Sequence, residues 1–152
     1  MYRLLFLISF LLLFTEVKLS AQSALPPKKL SWSMLSDVFF NEKFVEAEGV
    51  TYLYPEFGTS VKRLDGQEVI ITGYMFPMDP KRNFYIISAN TFASCFFCGK
   101  AGPETIVQLK LKKGHRKYVM DERVTMKGTL KLNDSDYEQC NYILLEAEES
   151  YL

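Results

Sequence analysis

One histidine and one tryptophan are all that 152 residues provide, and that scarcity removes several reaction classes at once. A zinc centre built on imidazoles needs more than the single His115, because such sites take three or four His, Cys or carboxylate ligands. Neither a Gly-x-Ser-x-Gly elbow nor a phosphate-cradling glycine loop occurs, which excludes the serine-hydrolase and P-loop readings. Charge of one sign is missing too: 18 Lys+Arg stand against 18 Asp+Glu. A nucleic-acid partner requires a basic face that neutralises phosphates, so nucleic acid is not an expected ligand. Long apolar runs are also lacking. The longest, Leu4 to Phe14, is eleven nearly all-apolar residues, too short for a helix across a hydrocarbon core of roughly 30 Å.

That run has a reading of its own. Arg3 precedes it, and Leu19-Ser20-Ala21 follows with a small residue at a cleavage point. This is the three-part pattern of a secretory signal over residues 1–21, with an uncleaved membrane anchor as the alternative. Export predicts a periplasmic or secreted protein, no transmembrane segment in the mature chain, and a protein or small ligand of that compartment as partner. The rest of the chain suffices for one domain with one core.

Residues 22–60 read as a linker, a short helix and an irregular aromatic-rich segment. Pro26-Pro27 opens the linker, and Ser31 stands where it caps a helix whose Trp32, Leu35, Val38 and Phe39 recur at helical spacing. Asn41 to Thr59 carries Phe44, Tyr52, Tyr54 and Phe57 but is broken by Gly49, Pro55 and Gly58. Residues 61–152 turn to β. Glu68–Phe76, Phe84–Ser88, Glu104–Lys112, Arg123–Leu132 and Tyr142–Ala147 are dense in β-branched and aromatic residues or alternate cleanly. Gly73 and Gly128 inside two of them predict bulges or sharp bends. Five such strands in a short span predict an all-β chain with a short N-terminal helix, closed as a small five-stranded OB-like barrel. Lys113 to Glu122 is too short for the helix that OB-folds usually place between their third and fourth strands, so the N-terminal helix is expected to plug the barrel instead.

The succession V-I-I-T-G-Y, a strand ending F-Y-I-I-S, then A-S-C followed by T-I-V, resembles a family of exported bacterial OB-like proteins, DUF3299, over roughly Leu64 to Ala147. In that family the loop tends to read Cys-x-His and then prolines. Here Cys95 matches the cysteine, Phe97 stands where the histidine would be, Cys98 is extra, and Gly99 to Pro103 replaces most of the prolines. The resemblance carries no established activity.

The chemistry concentrates in Phe92 to Val107, F-A-S-C-F-F-C-G-K-A-G-P-E-T-I-V. In OB topology the third and fifth strands run parallel, so Cys95 and Cys98 before the third and Cys140 before the fifth are expected to cluster. Met75, Met78 and His115 are expected elsewhere. Four readings compete for Cys95, Cys98 and Cys140. A disulfide would staple the loop to the barrel, contributing about 2–4 kcal/mol. A metal site of the three thiols would suit copper(I) better than zinc, which wants a fourth ligand such as Glu104. A thiol-disulfide oxidoreductase would use Cys95 and Cys98, without the usual βαβ context. Inert thiols are the fourth. Haem attachment is disfavoured because Gly99 stands where the motif needs histidine. Without a catalytic set, the function read from the sequence is an exported binding or accessory module whose working end is formed by loops 92–103 and 133–140.

Overall fold

The computed structural model describes residues 26–151; the expected signal segment lies outside them. Five strands close into a barrel: β4 (Glu68–Asp79), β5 (Phe84–Ser88), β6 (Ile106–Leu111), β7 (Glu122–Leu132) and β8 (Tyr142–Glu149). Their order is β4-β5-β6-β8-β7, and β7 pairs back onto β4. β6 and β8 are parallel, with Gln108 opposite Ile143 and Leu109 opposite Leu144, as OB topology requires. The side-chain period of two explains why these segments close up. Val69, Ile71 and Met75 of β4, Tyr85 and Ile87 of β5, Val107, Leu109 and Leu111 of β6, and Val124, Met126 and Leu130 of β7 all fall into one buried cluster. Removing that apolar surface from water holds the barrel shut.

The N-terminal segment seals it. Strand β1 (Lys28–Lys29) runs parallel to Val69–Ile70, so the expected linker ends as an edge strand. Helix α1 (Trp32–Leu35) follows. Trp32 donates from Nε1 to the Thr72 carbonyl at 2.9 Å, and the fully buried Leu35 has its carbonyl taken by the Tyr142 hydroxyl at 2.7 Å. The plugging role expected for this helix is thereby filled. Its extent differs: Val38 and Phe39, read at helical spacing, belong to the next strand.

Residues 38–57 depart most from the sequence reading. They form a regular antiparallel hairpin of β2 (Val38–Val45) and β3 (Val50–Phe57), in unbroken register from Val38↔Phe57 to Val45↔Val50. Gly49, at φ +67°, closes the tip as glycine readily does. A short helix α2 (Thr59–Lys62) then leads into the barrel. Gly73 is no bulge, since β4 pairs with β7 without interruption from Glu68 to Met75. A Cβ there would lie 2.4 Å from the Ser88 carbonyl oxygen and 2.9 Å from the Trp32 ring, so the glycine admits a close approach. Gly128 does mark the expected bulge, where the β7–β8 register shifts between Lys127 and Thr129.

Candidate functional site

Strands β5 and β6 are buried on both faces, and the outer one is the site. Phe76, Ile86, Cys95 and Ile106 form a second buried cluster, against which Tyr74, Phe84, Phe96 and Cys140 pack. Phe84 and Ile86 alternate with the interior Tyr85 and Ile87, and Ile106 with the interior Val107. They therefore point away from the barrel axis. What covers them is the loop between β5 and β6, which folds back as three single 3₁₀ turns, Phe92–Ser94, Phe96–Cys98 and Pro103–Thr105. Asp121, at φ +62°, anchors the start of this loop by accepting from Phe92 N–H at 2.7 Å. Phe92 then meets Phe76 edge-on at 5.8 Å.

A cleft of ≈ 390 Å³ opens beside that cluster. Its floor is Phe84, Ile86, Phe96 and Ile106; Thr51 to Leu53 of β3 form one wall and Tyr137 to Asn141, from the β7–β8 loop, the other. Asn133 shapes the second wall. Though buried, it donates from Nδ2 to the carbonyls of Asp136 (2.6 Å) and Cys140 (3.2 Å), and its Oδ1 accepts from Asp136 N–H at 3.0 Å. The Asp134–Asp136 stretch is thus an asparagine-organised turn. Buried Gln108 of β6 ties the same loop down, accepting from Cys140 N–H at 3.2 Å. A tyrosine–carboxylate joint braces the two walls: Tyr52 and Tyr137 stand 4.5 Å apart and both donate to Glu48, each at 2.5 Å. The hydrogen bonds from Tyr137 and Tyr52 hold Glu48 below the usual carboxylate range, and the carboxylate in turn pushes the Tyr52 hydroxyl up to about 12.

The three cysteines differ in exposure, with Cys95 and Cys140 in one cluster. Cys95 is fully buried and Cys140 half-buried in the same apolar cluster, whereas Cys98 is exposed and donates from Sγ to the Phe92 carbonyl at 3.1 Å. All three are free thiols. Among the described residues no three His, Cys, Asp or Glu side chains gather as a metal-ligand set. Glu104, considered as a fourth ligand, folds its carboxylate against Gly102. Burial pushes the Cys140 thiol up to about 11, with Lys110 pulling weakly the other way. It is therefore protonated at neutral pH and a poor nucleophile. Met75 lies in the barrel core. His115 stacks near Tyr118 and meets Tyr85 edge-on at 5.2 Å.

A second depression of ≈ 370 Å³ lies beside Arg116. Most of its charges are paired, Arg116 with Glu122 and Glu149, Lys112 with Glu148. The apolar cleft has unspent surface instead.

A crystal structure of a DUF3299 family protein from Pseudomonas aeruginosa superposes on this chain with a TM-score of 0.51 at 16% identity, covering 83% of this chain and 97% of that one. The chain has the fold of a DUF3299 protein. That likeness meets the resemblance carried by Cys95 and its flanking strands, and at this identity it speaks for fold. No family model matches the sequence, and no curated protein does. Within the DUF3299-like barrel, the sequence reading located loops 92–103 and 133–140 but missed the hairpin wall, Asp121 and Gln108. The one available signal was Phe84–Ile87, a strand apolar at four successive positions, the mark of burial on both faces.

Proposed function

We propose that this protein is an exported binding or accessory module, periplasmic or secreted, that holds a partner of that compartment in the cleft on the outer face of β5 and β6. The observation that carries this reading is the cleft itself: an apolar floor on a rigid barrel, walled by two loops and a hairpin. Pockets of a few hundred Å³ with apolar lining and few polar groups are where proteins take ligands. The signal pattern of residues 1–21 supports export. The cysteines support binding more than turnover, because Cys95 is buried and the Cys140 thiol is held protonated. Their part in this reading is to pack the loop onto the barrel. A disulfide, or a soft ion such as copper(I) on these thiols, would reinforce the same wall.

The test is a titration of the purified protein with the neutral apolar dye Nile red. Saturable fluorescence enhancement is expected, weakened by Leu53→Asp in the cleft and unchanged by Arg116→Gln in the other depression. Unsaturable binding, or equal binding by both variants, contradicts the proposal.

A further inference from the structure

Strand β3 meets the cleft along its edge. Thr51, Tyr52 and Leu53 all line it, although successive strand side chains point to opposite faces. Three consecutive residues reach one cleft only where that cleft runs beside the backbone. Among the described residues the edge is open, because β3 pairs with β2 and with no other strand.

The pairing also identifies which backbone groups are free. Pro55 has no N–H, so its pair with Phe40 suits the non-hydrogen-bonded kind, with the proline nitrogen turned outward. Gly58 N–H donates to the Asp37 carbonyl at 2.7 Å, in phase with that assignment. The two kinds of pair alternate, and the register has no shift. Leu53 and Thr51 therefore turn their N–H and C=O groups away from β2, and none of these bonds to another described residue. Two residues two apart, each with a free donor and acceptor, form a template for one more strand.

We propose that the cleft takes an extended polypeptide segment, which adds to the edge of β3 at Thr51 and Leu53 and sets alternate apolar side chains on Phe84, Ile86 and Ile106. The inference rests on the binding reading above and names its ligand class. Main-chain bonds provide the affinity in such strand addition, and pockets for alternate side chains provide the selectivity. Charge fixes the orientation. Glu138 is the only charged residue lining the cleft, and the carboxylates of Glu48 and Asp136 stand at the joint and turn beside it. The segment thus carries Lys or Arg at the end passing the β7–β8 loop.

The experiment uses blocked heptapeptides of one lysine followed by alternating threonine and an apolar residue (valine, leucine or phenylalanine in turn), with binding read by fluorescence anisotropy. Each best binder is then made with N-methyl groups on one alternate set of amides or on the other. In an extended strand one set faces β3 and the other faces away. One methylated form should lose at least ~10-fold in affinity while the other binds like the parent, and Leu53→Asp should weaken the parent. Equal binding by both methylated forms overturns strand addition, as does tighter binding of a neutral oligosaccharide than of any peptide. If every peptide fails while Nile red still saturates the cleft, this inference fails and the binding reading stands. If both probes fail, both fall.

Discussion

Replacing Asn133 by Ala should loosen the cleft's second wall and the barrel with it. The side chain makes contacts to three carbonyls, those of Asp136, Gln139 and Cys140, and accepts one N–H. An amide has only two hydrogens, so these amount to about three hydrogen bonds. At about 1 kcal/mol net for each, with some of the freed carbonyls recovering water, the loss is about 2–3 kcal/mol. For a domain of this size that lowers Tm by roughly 8–12 °C. Asn133→Asp gives the sharper test. It keeps the acceptor, removes both donors and turns an anion toward the carbonyl oxygens, so its loss should exceed that of Ala. Urea unfolding followed by circular dichroism measures both, and Nile red affinity should fall in parallel. A cost below ~0.5 kcal/mol for Ala, or an Asp variant as stable as the Ala variant, would refute the claim that this amide organises the loop.

Tyr142→Phe removes the buried donor to the Leu35 carbonyl and should cost about 1–3 kcal/mol, with amide exchange accelerating first in residues 30–36; uniform acceleration would count against a local seal. Thiol alkylation read by intact mass should add one group quickly, at Cys98, and the other two only in denaturant; an unreactive Cys98 would mean that it is paired or liganded. Stability should be lost on acidification. The carboxyls of Asp37, Glu48, Glu122, Asp136 and Glu148 are all held low, chiefly by hydrogen bonds from Ser60, Tyr137, Arg116, Gln139 and Lys112 respectively. Folded-state values below the unfolded ones mean that the unfolded chain binds more protons. Their contribution is therefore present at neutral pH and disappears as pH falls below about 4.5. A urea midpoint that rises between pH 5 and 3 would reverse that sign.

The barrel was legible because five strands carry an inward face that alternates or runs apolar. Phe84–Ser88 matches the expected span, and Arg123–Leu132 differs from β7 by one residue. The hairpin was not legible, for a physical reason. Apart from the buried Pro55 and Phe57, its strands are exposed or half-buried on both faces, with Phe39 and Phe40 adjacent and Tyr52, Leu53 and Tyr54 in a row, so no period of two emerges. Pro55 looks like a breaker, yet an edge strand accommodates it. The parallel β6–β8 pairing was foreseen from topology alone. Where each thiol points was not, because Cys95 lies between two 3₁₀ turns and Cys98 ends the second, in a loop whose start is held by Asp121, far away in sequence.

The central claim is that the outer face of β5 and β6 is where this protein binds. Amide NMR of the ¹⁵N-labelled protein during the Nile red titration tests it residue by residue. Shifts should concentrate at residues 51–53, 84–86, 96–97 and 137–141 and saturate together with the fluorescence. Shifts concentrated around residues 112–118 and 147–151 instead, at the Arg116 depression, would contradict it.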